Sequence, residues 1–532
     1  MGIFISVPKT IECIVCAVLF TALFAPCFYK LLGILQSCGY NGKKFFQWSR
    51  KKNNLIFTRH SLLTLLLLMS SAGVSFCFAF AGQWAAVVGC GAYVIFLIVY
   101  VWADNKVALK TPVTATPRFK RLYGILIFLI AVIAYFAVVL LNFADAVWGN
   151  RFFNILRYVP LSLFPLLMIP LTLLANLVSK IYEVPRNRKY VKSAKEKLKN
   201  NPLKVVGITG SYGKTSTKQI LSSILSKKFR VLSTPRSHNT PLGLALAINN
   251  NDLNDFDIFV AEMGARHLGD IEELCQICPP DYSVITGICP QHLESFGSIE
   301  NVIKAKSEIL NYTKEEAVIA SDCFALFSAS PCKKLSADCV TDIVCNCDGT
   351  SFNLNLGGES VRITTKLLGK HSAENIALAA AVAFKLGMTL PEIKQAAEEL
   401  DYIGHRLQLI KSGDINILDD GYNSNVKGAS AALEVLKSFK GRKIVVTPGL
   451  VELGVLEEEE NRALGEKLVG LDFVILVGDT LVAPVKEGYI SGGGEAQKIK
   501  TVPNLGAAQN ELKGVLSPGD TVLFLNDLPD FY

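Results

Sequence analysis

Gly207-Ile208-Thr209-Gly210-Ser211-Tyr212-Gly213-Lys214-Thr215-Ser216-Thr217 lies between the apolar pair Val205-Val206 and a stretch from Lys218 to Leu225 with helical spacing. A strand that turns through glycines into a helix is a phosphate cradle, because the loop N–H groups converge on oxygens where the helix dipole also favours an anion. Gly210 and Gly213 allow that convergence, and Ser211, Tyr212 and Ser216 complete the loop. Lys214 is placed to reach the β/γ-phosphates and Thr215 to hold Mg²⁺. Ile208 stands where the strict pattern has glycine, so the first turn rests on Gly210. The stretch predicts nucleotide binding rather than a plain glycine-rich turn.

Upstream of this loop the composition is of another kind. Half of the 532 residues are apolar, and mean hydropathy is +0.35, too apolar for a chain that is soluble throughout. Residues 1–202 hold 23 Lys and Arg against 5 Asp and Glu, a net of +18. Residues 203–532 hold 31 against 41, a net of −10, so the overall +8 describes neither part. The cations flank apolar runs instead of interleaving with aromatics on a soluble face, which argues against nucleic-acid binding.

Five stretches reach the roughly 20 apolar residues that a bilayer span requires, at 13–35, 62–81, 84–102, 122–141 and 159–178. Lys43, Lys44, Arg50, Lys51, Lys52 and Arg59 follow the first, and Lys106, Lys110, Arg118, Lys120 and Arg121 follow the third. Residues 181–202 form a basic juxtamembrane linker. The positive-inside rule then puts both loops and everything after the fifth span in the cytoplasm, with the N-terminus outside: a multi-pass protein of the cytoplasmic membrane, surrounded by lipid. The first span also has the length of a signal peptide, although its removal would leave the 43–59 cations outside. Glu12 and Lys30, in or near that span, read as groups that snorkel to an interface, with a polar path for substrate as the alternative.

From Leu203 short apolar runs alternate with helical patterns, which predicts parallel sheets covered by helices. Strands are expected at 204–208, 258–262, 282–286 and 318–320, and a second series at 415–418, 443–447, 473–477 and 521–524. The fold class is therefore an α-helical membrane domain, 1–180, followed by two α/β domains: a P-loop central domain, 203–402, and a Rossmann-like C-terminal domain, 403–532.

Glu262 closes the run Ile258-Phe-Val-Ala-Glu262, putting a carboxylate where a parallel strand meets its loop, a position suited to Mg²⁺. Taken alone, His292 reads as a structural loop histidine, Lys306 as a surface lysine, and Arg406 and Asp420 as solvated loop charges. Cys275 and Cys278 form one C-x-x-C, and five cysteines crowd 323–347. Structural zinc asks for two paired knuckles, so incidental thiols are the simpler reading.

In order along the chain come the phosphate loop, Ser237-His238-Asn239-Thr240, Glu262-Met263-Gly264-Ala265, His292-Leu293-Glu294 with Phe296-Gly297-Ser298, Ala305-Lys306-Ser307-Glu308-Ile309, and Asp419-Asp420-Gly421-Tyr422-Asn423-Ser424-Asn425. From about Leu203 onward this set resembles the Mur ligases, and its Tyr-Asn-x-Asn segment most resembles the D-alanyl-D-alanine-adding member. The resemblance implies an ATP-dependent ligase of bacterial cell-wall synthesis that phosphorylates a carboxylate and lets an amine displace phosphate from the acyl phosphate, with two Mg²⁺ ions. It also implies roles. Lys214 binds phosphates, while Thr215 and Glu262 hold the first Mg²⁺. His292 and Lys306 serve the second, the lysine as a carbamate. Asn239 lies on the phosphate side and Asn375 contacts adenine. Arg406 reaches the γ-phosphate, and Asp420 contacts the nucleotide.

Three departures concern the substrate. Membrane spans occupy the place of the family's UDP-sugar-binding N-terminal domain; Ser372 and Gly421 replace an asparagine and a serine; and the chain end, 526–530, lacks a Lys-Gly-Ser element. The expected partners are ATP, an amino-acid or dipeptide amine such as D-Ala-D-Ala, and a carboxylate acceptor that is a UDP-muramoyl peptide or is lipid-linked. A ligase building another amino-acid polymer, such as poly-γ-glutamate, is the alternative enzyme. A membrane scaffold or transporter with a relic nucleotide domain is the alternative outside that class.

Overall fold

The computed structural model describes residues 7–50, 113–148, 164–236, 238–422, 425–478 and 481–526, with isolated positions 66, 95, 98, 99 and 102. The chain divides into two compact units, residues 1–186 and 187–528.

In the first unit, α1 (Val7–Ser37), α2 (Gly42–Arg50), α3 (Pro117–Trp148) and α4 (Phe164–Lys199) are described. Thr116 caps α3, its hydroxyl accepting from Phe119 N at 3.2 Å, and Pro117 pre-sets the first helical turn. Phe24, Phe28, Leu31 and Leu35 of α1 pack against Phe119, Leu122, Leu126 and Ile130 of α3 and Met168 and Ala175 of α4. The outward faces are apolar as well, with Val15, Leu19, Phe128, Phe136, Leu140 and Leu177 exposed. A helix that is apolar on every side suits lipid rather than water. Three helices, over Cys13–Ser37, Pro117–Leu140 and Leu167–Lys199, are long and apolar enough to cross a membrane. Five spans are not seen: those expected at 62–81 and 84–102 lie outside the described residues, apart from isolated positions. The basic stretch expected as a linker is helical, since α4 continues to Lys199; its residues from 187 onward belong to the second unit, and Ala194 and Leu198 are part of that unit's core.

The second unit begins with a parallel sheet of β1 (Lys204–Thr209), β2 (Val231–Ser233), β3 (Ile258–Glu262), β4 (Tyr282–Ile285), β5 (Glu316–Ile319) and β6 (Lys334–Ser336), in the order β2-β3-β1-β4-β5-β6. Parallel strands covered on both faces bury every side chain, and β3 and β5 do so along their whole lengths. One face is covered by α5 (Lys214–Leu225) and by α9 (Lys370–Lys385), whose alanines at 377, 379–381 and 383 let it approach closely. The other carries α6 (Pro241–Asn249), α7 (Asp270–Ile277) and α8 (Ile299–Ser307). The chain leaves β1 toward β3 and β2, then returns to place β4 on the other side. The crevice at the carboxyl end of β1 is thus a topological switch point.

Several elements differ from those expected, among them the short, part-exposed strands β2 and β6, which the sequence reading lacks. Helix α5 starts at Lys214 rather than Lys218, because Gly213 at φ 74° supplies a left-handed N-cap. Residues 340–365 form an unanticipated antiparallel sheet, β7 (Val340–Asn346), β8 (Gly349–Leu356) and β9 (Glu359–Thr365). The second domain of the unit has a sheet in the order β10-β11-β15-β12-β13-β14. It comprises β10 (Gln408–Ser412), β11 (Ile415–Asp420), β12 (Lys443–Thr447), β13 (Phe473–Val477), β14 (Ile499–Val502) and β15 (Thr521–Leu525), all parallel except the edge strand β10.

Candidate active site

The phosphate loop joins β1 to α5 at the switch point. Gly210 adopts φ 146° and Gly213 φ 74°, and a Cβ on Gly213 would lie 2.8 Å from Asn375 Oδ1. Side chains are excluded there because the loop is held tightly from beside: Thr286 N donates to Thr209 O at 2.9 Å, and Ser211 N to Gly287 O at 2.8 Å. Lys214 folds its ammonium onto Gly210 O at 2.6 Å and Ser211 O at 3.2 Å. Burial pulls its pKa down, Glu262 opposes that shift, and Arg406 reinforces it.

Glu262, 1% exposed, is the centre of a hydrogen-bonded cluster. Its Oε1 accepts from Thr215 Oγ1 at 3.2 Å and Asn239 Nδ2 at 3.1 Å, while Lys218 Nζ lies 3.1 Å from Oε2. Lys218 is itself 2% exposed and donates to Thr234 O at 2.8 Å and to Arg236 O. Hydroxyl, amide and carboxylate oxygens are the hard donors that Mg²⁺ takes. Thr215 and Glu262 bring oxygens of this kind within 3.2 Å of one another, a donor set that suits such an ion. Sequence reasoning passed over Lys218, whose signal was only a lysine on the inner face of a helix.

His292 sits at φ 54° ahead of the helical turn Leu293–Phe296, and its Nδ1 contacts Glu452 Oε2. Glu452 comes from the C-terminal domain, is 8% exposed and also meets Arg266 Nη1 at 3.3 Å. Burial lowers the pKa of His292 and outweighs the opposing pull of Glu452, leaving a neutral ring. Lys306, on α8, is 3% exposed, and its Nζ stands 5.9 Å from the Phe296 ring centroid. Burial, with Lys214 adding like-charge repulsion, pushes its pKa well below the ordinary ammonium range.

Two cavities meet at the loop. The larger, about 910 Å³, is lined by Tyr212, Gly213, Ser216, Asn375, Arg406 and Asp420 among others. The smaller, about 460 Å³, is lined by Ser211, Lys214, Thr215, Asn239, Glu262 and His292 among others, and it shares Tyr212, Gly213, Arg406 and Asn425 with the first. Gly210 and Lys306 line neither. Arg406 donates from Nη1 to Tyr422 O at 3.0 Å and stacks 4.5 Å from the Tyr422 ring centroid. Asp420 Oδ1 accepts from Leu407 N at 3.1 Å, and Asn375 Oδ1 from Thr217 Oγ1 at 3.1 Å. A further contact crosses the domains: Lys427 Nζ reaches Asp322 Oδ2 at 2.6 Å and Tyr212 OH at 3.2 Å, while Tyr212 OH donates to Asp322 Oδ2 at 2.7 Å. Burial pushes Asp322 up, but its bonds to Lys427 and Tyr212 prevail and hold it low.

Cys275 and Cys278 are buried free thiols, with Cys275 Sγ 3.7 Å from Met263 Sδ and its pKa pushed up to about 12 by burial. Among the described residues no group of three or more His, Cys, Asp or Glu side chains forms a metal cluster.

Residues 208–383 match the Mur ligase middle domain, and residues 405–526 the glutamate ligase domain of the Mur ligases. The chain belongs to the Mur ligase family. It is 32% identical over 296 residues to the UDP-N-acetylmuramoyl-tripeptide--D-alanyl-D-alanine ligase of Escherichia coli (strain K12), covering 52% of this chain and 65% of that protein. Its namesake in Bacillus subtilis (strain 168) is 32% identical over 284 residues, or 51% and 62% of the two chains. The chain thus spans less than two thirds of the length of these relatives. Among solved structures, MurF from Acinetobacter baumannii superposes with a TM-score of 0.59 at 26% identity, covering 65% of this chain and 78% of that one. MurF from Thermotoga maritima in complex with ADP gives 0.58 at 29%, covering 64% and 80%. The family-model match begins at residue 208, in the strand that leads into the phosphate loop, and leaves the apolar helices of the first unit outside it.

Proposed function

We propose that this Mur ligase is a membrane-anchored, ADP-forming carboxylate-amine ligase of cell-wall synthesis. In this reading it acts through an acyl phosphate and is most like the D-alanyl-D-alanine-adding enzymes. The observation that carries the reading is the pair of cavities sharing the phosphate loop and Arg406, one for a nucleotide and one for the groups it activates. In the larger cavity Asn375 and Asp420 would face the nucleoside end. Lys214 would turn from the loop carbonyls toward phosphate oxygens, and Arg406 would balance charge on the side shared with the smaller cavity. Catalysis of this kind is mostly positioning and charge neutralisation.

Thr215 and Glu262 would hold one Mg²⁺, with Asn239 orienting the carboxylate, and His292 and a carbamylated Lys306 a second. Such ions neutralise developing charge on a transferring phosphoryl group. CO₂ adds only to a neutral amine, and the depressed pKa of Lys306 supplies one. The neutral ring of His292, turned by Glu452, is likewise the form that can bind a metal. The apolar helices would hold the ligase at the membrane, beside an acceptor carboxylate that is lipid-linked.

The test is phosphate release by the full chain in detergent with ATP and D-Ala-D-Ala, comparing soluble UDP-muramoyl tripeptide with a lipid-linked muramoyl peptide. Release that requires both amine and carboxylate supports the ligase reading, and preference for the lipid-linked acceptor supports the anchored one. Rapid turnover of the soluble acceptor would remove the lipid-linked version, and ADP release independent of amine and carboxylate would remove the ligase.

A further inference from the structure

The ligase reading leaves unused a cluster of polar groups where α1, α3 and α4 come together. Arg121 of α3 is fully engaged: its Nε donates to Glu183 Oε1 at 2.8 Å, its Nη2 lies 2.6 Å from the same oxygen, and Glu183 is 5% exposed. One turn earlier, Arg118 is treated differently. No hydrogen bond or carboxylate partner meets its guanidinium among the described residues, and its Nε is buried. The group stacks on Tyr40 with Cζ 3.8 Å from the ring centroid. The Tyr40 hydroxyl is also buried and, among the described residues, unmet. Tyr40 itself is locked at φ 59° by Asn176 Nδ2, which donates to its carbonyl at 3.0 Å, and Asn176 is 3% exposed with its Oδ1 unmet.

A cation stacked on an aromatic face has satisfied its face and not its edge. The in-plane N–H groups of arginine still want acceptors, and a planar fork matches phosphate oxygens. Around Tyr40, an N–H edge, a phenol O–H and an amide oxygen that are all unmet among the described residues ask for an oxyanion that also carries a hydroxyl. The neighbouring helix faces are apolar, with Leu174, Leu177 and Ile181 exposed, and Lys43 nearby in sequence adds positive charge. Basic pockets between membrane helices bind lipid head groups for these reasons.

We propose that Arg118, Tyr40 and Asn176 bind the phosphate and a hydroxyl of an anionic phospholipid headgroup of the phosphatidylglycerol class. Arg118 and Tyr40 donate to the phosphate, and Asn176 Oδ1 accepts from the headgroup hydroxyl. The proposal rests on the membrane reading above.

The experiment is native mass spectrometry of the full chain, purified in detergent and offered phosphatidylglycerol, phosphatidylcholine or inorganic phosphate. Wild type is expected to retain one phosphatidylglycerol under conditions that strip phosphatidylcholine. Arg118→Gln should lower that occupancy about tenfold, the loss of one charge-assisted fork, and Tyr40→Phe should lower it less. Lys120→Gln removes the same charge nearby and should leave it unchanged. Arg118→Lys, which keeps the charge without the planar fork, guards against misfolding and should bind at an intermediate level. Equal losses in Arg118→Gln and Lys120→Gln would overturn the proposal in favour of diffuse charge. Displacement of the lipid by millimolar inorganic phosphate would overturn it in favour of a free-phosphate site. If wild type is released from membranes by alkaline carbonate, the membrane reading fails. If it stays in the membrane yet retains no phosphatidylglycerol, only this proposal fails.

Discussion

Replacing Lys218 by methionine removes one charge from a pair in which both side chains are almost fully buried, Lys218 at 2% exposure and Glu262 at 1%. Three losses follow. Glu262 Oε2 loses a cation at 3.1 Å, and the carbonyls of Thr234 and Arg236 lose their shared donor. Breaking a buried pair on one side costs roughly 3–5 kcal/mol, because the remaining charge is left uncompensated. Each orphaned carbonyl adds up to about 1–3 kcal/mol, partly recovered where water enters. Oε1 keeps Thr215 and Asn239, so the lower end, about 3 kcal/mol, is the expected net cost.

The assay is chemical denaturation of the detergent-solubilised chain, followed by a probe within the central domain and run as a double-mutant cycle with Glu262→Gln. Lys218→Met and Glu262→Gln should each destabilise, while the double variant should be more stable than their sum predicts by about 2 kcal/mol or more. Mg²⁺ with ADP should also stabilise Lys218→Met more than wild type, because a bound cation compensates the carboxylate that has lost its lysine. Additive effects, or a single-variant cost under about 1 kcal/mol, would refute the claim that Lys218 neutralises Glu262.

Four further outcomes are expected. Lys306→Ala should lower turnover about a hundredfold or more and be partly restored by short carboxylates; unchanged activity would remove the carbamate. Burial lowers the pKa of His371 from 6.5 to about 4, so the unfolded chain binds its proton first as pH falls. Stability present above pH 6.5 should therefore decline by about 3 kcal/mol toward pH 4, and His371→Leu should flatten that part of the melting-temperature profile. Glu452→Gln should lower kcat about tenfold with KM for ATP nearly unchanged, measured by coupled phosphate release, since it touches His292 and not the larger cavity. Lys427→Ala should do the reverse, raising KM for ATP severalfold while changing stability by less than about 1 kcal/mol, because the Lys427–Asp322 pair is half-exposed.

The interior parallel strands were legible because they read as apolar runs, as in Ile258–Glu262 and Lys443–Thr447, whereas β2, β6 and β14, short and part-exposed, were not. The phosphate loop was legible because its glycines and lysine serve local chemistry. What escaped depends on distance. Lys218 looks like any helix lysine until Thr234 and Glu262 fold against it, and Glu452 is some 160 residues from the histidine it turns. The sheet β7–β9 escaped for another reason: β7 and β9 leave much of their length exposed, so polar residues interrupt any apolar period, and the cysteines drew the eye instead. The two central spans could be read from composition alone, and the described residues bear on neither.

The site's groups fall into two sets by where they are anchored. Lys214, Thr215, Lys218, Asn239 and Glu262 all belong to the central domain, and their contacts close among themselves. Arg406, Lys427 and Glu452 come from the C-terminal domain and touch the central domain at three separate points: both cavities, the Tyr212–Asp322 pair, and His292 with Arg266. Contacts that all cross one boundary form and break together, so separation of the domains would release Arg406, unlatch Tyr212 and free His292 in a single step. The first set would survive such an opening. On the proposed function, nucleotide phosphates and their metal would then be held by an open molecule, while the arrangement that orients His292 and brings Arg406 to the shared wall would exist only in a closed one. Closure would then gate the chemistry without being needed for nucleotide capture. The separation expected between Glu452→Gln and Lys218→Met, one slowing turnover and the other loosening the resting central domain, follows from that division.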